Sequence, residues 1–177
     1  MPAVFLDRDG VLVRTDVVDG KPIAVKTFAE FELLPGVIEA VTELRANGFF
    51  TVVVTNQPDV GKGLIAEDVL SAMHTKLESL LPLNLIMVCK HRQDENCSCR
   101  KPQPGMLLQA AAQLDIDLSQ SFMIGDRDSD IIAGLRANCY TVLIDRHYPE
   151  TAITPANERA DSLSLAVQSV LRIYANN

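Results

Sequence analysis

Residues 3–10 read Ala-Val-Phe-Leu-Asp-Arg-Asp-Gly, so four apolar residues are followed directly by two carboxylates. The apolar run predicts a buried strand. In an extended backbone, side chains two positions apart point to the same side, so Asp7 and Asp9 are placed to serve one reaction centre. This stretch therefore predicts a core strand that ends at a candidate site.

Further strands alternate with amphipathic helices along the rest of the chain. Apolar, partly β-branched runs predict strands at 51–54, 85–88, 121–124 and 140–144. Apolar residues at helical spacing predict the helices between them, and a last helix is expected at 163–175. This alternation predicts a doubly wound α/β fold, with a parallel sheet, helices on both faces and ligands at the carboxyl ends of the strands. Residues 145–162 are predicted to form a surface loop.

Length and composition narrow the class of protein. The 177 residues suit a single domain spanning 1–177. The net charge of −7 argues against a nucleic-acid partner, because phosphate backbones favour basic surfaces. The sequence shows no secretory signal and no apolar run of the roughly 18 residues that a membrane span needs. We therefore expect a cytoplasmic protein, monomeric and without a membrane partner.

Polar residues follow the other predicted strands as well. Thr55 and Asn56 follow the second strand, Arg100 and Lys101 come after the third, and Asp126 follows the fourth. Carboxylates brought together on one rim repel each other unless a divalent cation joins them, and all-oxygen ligands suit magnesium. Cations and hydroxyls beside that metal indicate a phosphate site. One carboxylate can attack phosphorus to form an aspartyl-phosphate, while a second protonates the leaving oxygen and later activates water.

Four segments together resemble a known family. Those segments are Phe5-Leu6-Asp7-Arg8-Asp9-Gly10, Val54-Thr55-Asn56-Gln57, Cys99-Arg100-Lys101-Pro102 and Gly125-Asp126-Arg127. They resemble, in order, the four motifs of the haloacid dehalogenase superfamily of phosphohydrolases. More narrowly, the chain is similar to the branch of heptose-bisphosphate and histidinol-phosphate phosphatases. The resemblance implies a Rossmann-like fold over most of the chain.

The resemblance also implies roles at the reaction centre. Asp7 would be the nucleophile, and Asp9 the general acid and then the general base. Asp7, the backbone carbonyl of Asp9, and Asp126 would hold magnesium.

The remaining implied roles concern the phosphate and the substrate. Thr55 and Asn56 would bind the phosphoryl oxygens. Lys101 would neutralise charge on the nucleophile and the phosphate, and Arg100 would reach the substrate. Asp130 would orient neighbouring groups.

A cysteine-histidine segment predicts a second metal site. Cys89, His91, Cys97 and Cys99 form a C-x-H-x5-C-x-C pattern. Three thiolates and one imidazole complete a tetrahedral zinc set with no open position, which indicates a structural zinc and a zinc-stabilised loop. The alternatives are unrelated buried thiols or a disulfide. Cys139 stands apart and is predicted to be a core thiol.

The substrate is the least constrained prediction. About 45 residues separate Asp9 from Thr55, which leaves no room for a separate cap domain. Loops at 13–25, 57–64 and 90–100 are therefore expected to set specificity. The resemblance, together with the cationic residues Arg100, Lys101 and Lys62, implies a sugar phosphate, such as D-glycero-D-manno-heptose 1,7-bisphosphate cleaved at its 7-phosphate. Histidinol phosphate is the alternative within the class, and a receiver-like or non-catalytic phosphate-binding protein is the alternative outside it.

Overall fold

A six-stranded parallel sheet lies at the centre of this computed structural model, which describes residues 1–19, 21–148 and 154–176. Its strands, in chain order, are β1 (Ala3–Leu6), β4 (Phe50–Asn56), β5 (Leu85–Cys89), β6 (Phe122–Gly125), β7 (Tyr140–Ile144) and β8 (Glu158–Ala160). In space the order is β5-β4-β1-β6-β7-β8, and every pair is parallel. The two remaining strands, β2 (Asp16–Val18) and β3 (Lys21–Ile23), form an antiparallel hairpin outside this sheet.

Helices cover both faces of the sheet, which explains the unbroken apolar strands. The helices are α1 (Val37–Ala46), α2 (Pro58–Gly61), α3 (Glu67–Leu80), α4 (Gly105–Leu114), α5 (Asp128–Arg136) and α6 (Leu163–Ala175). In β1, Val4 and Leu6 point into one core with residues of α1, α3 and α6. Ala3 and Phe5 point into a second core with residues of α4 and α5. The doubly wound α/β prediction is therefore confirmed.

The structure corrects the element list in two places. All five predicted strands are present, but β8 lies within 145–162, which was wrongly predicted to be a surface loop throughout. β8 is a three-residue edge strand of sequence Glu-Arg-Ala, too short and polar to show a strand pattern. Residues 149–153 of the same segment lie outside the described residues. The hairpin β2–β3 was also missed, within the loop predicted at 13–25.

The topology brings three strand ends together. β1 is hydrogen-bonded to β4 on one side and to β6 on the other. Between β1 and β4, the described residues form only the hairpin, one short helical turn at Phe28–Glu30, and α1, so there is no separate cap domain. None of the helices found among the described residues has the length and apolar character to cross a membrane.

Candidate active site and metal centres

Lys101 lies beneath the rim where β1 meets its neighbours. Its Nζ lies 2.8 Å from Oδ1 of Asp7 and 2.7 Å from Oδ1 of Asp130, and it donates to the carbonyl of Val54 at 2.7 Å. Burial alone would lower the pKa of Lys101, but the charges of Asp130 and Asp7 outweigh it and raise that pKa above its ordinary value. The ammonium is therefore charged and ties two buried carboxylates together.

Three carboxylates meet beside this ammonium. Asp7, Asp126 and Asp130 each offer an oxygen within 4.8 Å of the others. Both oxygens of Asp130 are already engaged. Oδ1 pairs with Lys101, and Oδ2 accepts hydrogen bonds from the backbone N–H groups of Asp126 and Arg127, at 3.2 and 3.1 Å. Both oxygens of Asp130 thus have partners. Asp7 and Asp126 each keep one oxygen that accepts no hydrogen bond among the described residues.

Asp126 fits a divalent cation. Its Oδ1 is buried and finds no hydrogen-bond donor among the described residues, while its Oδ2 accepts from the hydroxyl of Tyr148 at 2.9 Å. Burial, and then the negative charges of Asp7 and Asp130, raise the pKa of Asp126 to about 8. A bound cation would remove the cause of this shift and satisfy the orphaned oxygen. The donors are all oxygens, the set that magnesium prefers.

Asp9 is turned away from the other carboxylates. Its oxygens accept from the guanidinium of Arg8, with Nε–Oδ2 at 3.1 Å and Nη2–Oδ1 at 3.0 Å. Gln57 Nε2 donates to the same Oδ2 at 2.7 Å and approaches Oγ1 of Thr55 at 2.9 Å. Both side-chain oxygens of Asp9 are engaged in these bonds, and the backbone carbonyl of Asp9 as a magnesium ligand stays a prediction.

Arg8 is the largest of the fully buried side chains among the described residues, with no exposed surface. Besides the fork to Asp9, its Nη1 lies 3.2 Å from Nε2 of His74 on α3, and its guanidinium carbon lies 5.8 Å from the centre of the Phe31 ring. Burial first, and then the positive charge of Arg8, lower the pKa of His74 to about 4. At neutral pH the imidazole is therefore uncharged and can accept a hydrogen bond from the arginine.

A cavity of about 480 Å³ opens above these residues. Asp7, Asp9 and Lys101 lie at its base. Its walls come from the hairpin (Pro22 to Ala24), from Gln57 to Asp59, and from the zinc-loop region (Gln93, Asn96, Cys97 and Arg100). These residues lie in the three loops predicted to set specificity, and Pro102, Gln103, Arg127 and Ser129 line the cavity from outside those loops.

Two arginines border the cavity. Arg127 donates from Nη2 to the carbonyl of Pro22 at 2.8 Å, which ties the hairpin to the start of α5. Nη1 of Arg100 is buried and has no partner among the described residues. A cavity with carboxylates below and cations at its wall suits an anionic, polar ligand.

The predicted zinc ligands converge. The Sγ atoms of Cys89, Cys97 and Cys99 lie 3.2 to 3.6 Å from one another, and Nδ1 of His91 lies 3.5 Å from Cys89 Sγ and 3.2 Å from Cys99 Sγ. A disulfide would bring two sulfurs to about 2.05 Å. A tetrahedral zinc with bonds of about 2.3 Å places sulfurs about 3.8 Å apart, close to these separations. The donor set therefore fits zinc, and the disulfide alternative is wrong. Cys139 is a buried free thiol away from this cluster, as predicted.

Asn56 joins the segment after the zinc loop to the sheet. Its Nδ2 donates to the carbonyl of Lys101 at 3.0 Å, and its Oδ1 accepts from the backbone N–H of Lys101 at 3.1 Å. This two-way amide bond holds the Lys101 backbone against the end of β4. The side chain of Asn56 is thus engaged in positioning the lysine.

Comparisons with known proteins bear on these arrangements. The sequence model of the HAD-hydrolase-like family matches residues 98–163. D-glycero-β-D-manno-heptose-1,7-bisphosphate 7-phosphatase of Yersinia pestis is 39% identical over 165 residues, covering 86% of this chain and 85% of that protein. The protein of the same name from Escherichia coli K12 is 38% identical over 173 residues, covering 90% and 86%.

The chain belongs to the haloacid dehalogenase family of phosphatases. A crystal structure with the same fold is that of D,D-heptose 1,7-bisphosphate phosphatase from B. bronchiseptica, complexed with magnesium and phosphate. It has a TM-score of 0.85 and 29% sequence identity, and the match covers 98% of this chain and 99% of that one. The family resemblance read from the four motifs is confirmed.

The fold of this haloacid dehalogenase phosphatase gathers most of the predicted site residues. Asp7, Asp9 and Lys101 lie at the base of the cavity, and Arg100 and Asn56 line it. Thr55 is fully buried just below, bonded to Gln57. Asp126 lies in the carboxylate cluster beside Asp7. The individual role of each residue stays a prediction.

Four residues of this phosphatase site were missed from the sequence. Arg8 and Gln57 stand inside the quoted motifs, and their places within two residues of a strand end were a usable signal. His74 and Tyr148 carried no signal. Each lies next to other polar residues and does not stand out from them, and Tyr148 reaches Asp126 across 22 positions. Burial and the charge of Asp126 raise the pKa of Tyr148 to about 12, so its hydroxyl is protonated and donates.

Proposed function

We propose that this phosphatase removes the 7-phosphate of D-glycero-β-D-manno-heptose 1,7-bisphosphate in a magnesium-dependent reaction through an aspartyl-phosphate. The observation that carries the proposal is the similarity of 38 to 39% over at least 86% of the chain to proteins of that name. The site geometry supports the chemistry, because Asp7, Asp9 and Lys101 line one cavity and Asp126 lies in the carboxylate cluster with Asp7.

Asp7 is oriented to attack phosphorus. Its Oδ1 accepts from Lys101 Nζ and from the backbone N–H of Arg8, each at 2.8 Å. Both donors lie on one oxygen, which leaves Oδ2 as the attacking atom. Lys101 also reduces the repulsion between this carboxylate and a dianionic phosphate.

Asp9 carries the proton through both half-reactions. Oδ2 of Asp7 forms a bond to phosphorus while the bond from phosphorus to the heptose oxygen breaks, and Asp9 gives its proton to that oxygen. Water then attacks the aspartyl-phosphate, Asp9 takes the proton of the water, and inorganic phosphate leaves with Asp7 restored. Both oxygens of Asp9 accept hydrogen bonds from Arg8, so Asp9 must leave this pair and turn to the substrate before it can give a proton to the leaving oxygen.

Two metals complete the proposal. Asp7, the backbone carbonyl of Asp9, and Asp126 would hold magnesium, which when bound would supply positive charge to stabilise the phosphate. Zinc held by Cys89, His91, Cys97 and Cys99 orders the loop that leads into Arg100 and Lys101.

The test is phosphate release from a panel containing heptose bisphosphate and histidinol phosphate, with and without magnesium. Phosphorus NMR identifies which phosphate of the bisphosphate is lost. Asp7→Asn removes the nucleophile, and we expect a fall on the order of 10³-fold or more. Asp68→Asn makes the same chemical change at an exposed position of α3 and should leave the rate unchanged.

Each outcome separates the alternatives. Magnesium-dependent loss of the 7-phosphate, faster than hydrolysis of histidinol phosphate and absent in Asp7→Asn, supports the proposal. Faster turnover of histidinol phosphate would overturn the substrate. Stable phosphorylation of Asp7 without release of phosphate would favour the receiver-like alternative instead.

A further inference from the structure

The two oxygens of the Asp126 carboxylate have different surroundings. Oδ2 accepts a hydrogen bond of 2.9 Å from the hydroxyl of Tyr148. Oδ1 is buried without a donor among the described residues, and the carboxylate offers an oxygen within 4.8 Å of oxygens of Asp7 and Asp130. A carboxylate can rotate about its last bond unless one oxygen is held. The hydrogen bond from the Tyr148 hydroxyl to Oδ2 therefore fixes the rotation of the carboxylate, and with it the direction in which Oδ1 points.

Tyr148 is brought to Asp126 by the segment that follows β7. Arg146 donates from Nε to the carbonyl of Gly10 at 2.8 Å, which ties this segment to the turn after β1. The Tyr148 hydroxyl also lies 3.5 Å from Oγ1 of Thr15, just before the hairpin. The segment is thus attached to the same turn that carries Asp7 and Asp9.

Gly10 leaves the space that this hydrogen bond occupies. A Cβ atom at this position would lie 2.0 Å from Oδ2 of Asp126 and 3.1 Å from the hydroxyl oxygen of Tyr148. Gly10 also has a positive φ of 83°, which other residues adopt at a cost. Turn, carboxylate and hydroxyl therefore fit together as one close-packed unit.

The position of Tyr148 does not suit it for binding the substrate in the cavity. Tyr148 is not among the described residues that line it. Its hydroxyl already donates to Asp126, so a phosphate oxygen would have to displace that bond. The Tyr148 hydroxyl instead contacts Asp126, the proposed magnesium ligand.

We propose that Tyr148 is a positioning residue for the metal site, whose hydroxyl holds Oδ2 of Asp126 so that Oδ1 is presented to magnesium. The inference rests on the proposed function in one respect, the use of magnesium at Asp7 and Asp126. Outer-shell partners of metal-binding carboxylates commonly change metal affinity by about 10- to 100-fold when they are removed. The same range is expected here.

The experiment measures magnesium binding without substrate. Zinc-loaded wild type and Tyr148→Phe are titrated with magnesium by calorimetry, and the magnesium dependence of phosphate release is recorded separately. We expect the magnesium dissociation constant of Tyr148→Phe to rise at least 10-fold, with kcat at saturating magnesium within about 3-fold of wild type. Tyr140→Phe is the matched control, because the Tyr140 hydroxyl makes no hydrogen bond within the part of the chain that is described.

Three outcomes would overturn the proposal: a dissociation constant within 2-fold of wild type, an equal change in Tyr140→Phe, or a loss confined to kcat. If Tyr148→Phe does not fold, Arg146→Met releases the same segment while keeping the hydroxyl. Weaker magnesium binding in that variant supports the proposal, and unchanged binding overturns it. Magnesium binding is measured without substrate. Failure to hydrolyse heptose bisphosphate would therefore reject the proposed substrate but would not change the comparison of magnesium affinities.

Discussion

Replacing Lys101 by Met should destabilise the protein strongly, because it leaves two buried carboxylates without their cation. The Lys101 side chain is 2% exposed, and its partners Asp7 and Asp130 are 10% and 1% exposed. Removing one partner of a buried ion pair costs about 3–5 kcal/mol. For a chain of this size each kcal/mol lowers the melting temperature by about 2–4 °C, so we expect a fall of about 6–20 °C.

The assay is thermal unfolding followed by circular dichroism in zinc-containing, magnesium-free buffer. Lys62→Met is the matched control, because Lys62 pairs with Asp59 at 3.4 Å and its side chain is 47% exposed. An exposed pair of this kind contributes at most about 1 kcal/mol. The control should therefore melt within about 4 °C of wild type.

A double-mutant cycle tests the cause of the loss. If the destabilisation comes from the unpaired charge of Asp130, then Asp130→Asn combined with Lys101→Met should cost less than the sum of the two single changes, by about 1–3 kcal/mol. Additive effects would contradict the ion-pair argument. A melting temperature for Lys101→Met equal to that of the surface control would refute it as well.

Three further predictions follow from the site and its surroundings. Gly10→Ala should reduce magnesium-dependent activity by more than about 10-fold, because its Cβ would overlap the carboxylate of Asp126. Gly48→Ala should retain activity, because Gly48 also has a positive φ but its Cβ would meet no atom of the described residues within 4 Å. Equal losses in the two variants would reject the steric cause. Cys99→Ala should lower bound zinc far below one ion per chain and lower the melting temperature, whereas Cys139→Ala should keep its zinc. Elemental analysis measures the zinc content, and a full complement of zinc in Cys99→Ala would reject the site. The folded-state pKa of His74 is lowered to about 4, below its unfolded value of about 6.5, so its contribution to stability is intact above pH 6.5 and is lost as the pH falls towards 4. Between pH 7 and 4.5, His74→Gln should therefore lose about 1–2 kcal/mol less than wild type in denaturant titrations, after allowance for partial exposure, and parallel curves would count against the shift.

Sequence patterns predicted the sheet and the ends of its strands because both are local signals. The apolar run before Asp7 is long enough to form a strand with both faces buried, and parallel strands bring their carboxyl ends to one rim. The zinc ligands were equally visible, since thiols and imidazole at close spacing have few other uses. Edge strand β8 lacked such a signal, because three residues at the sheet edge need no apolar pattern.

Local patterns were enough to predict the fold class, the four strand-end motifs and both candidate metal sets, because in each case the information lies within a few neighbouring residues. The hydrogen-bond partners of the individual carboxylates became visible only in the folded structure. Asp130 has both oxygens engaged, Asp126 has one oxygen without a donor among the described residues, and Asp9 is turned towards a buried arginine. Tyr148 reaches Asp126 from 22 positions away, and no spacing in the chain marks that contact. Hydrogen bonds between distant segments depend on packing geometry, which local patterns do not carry.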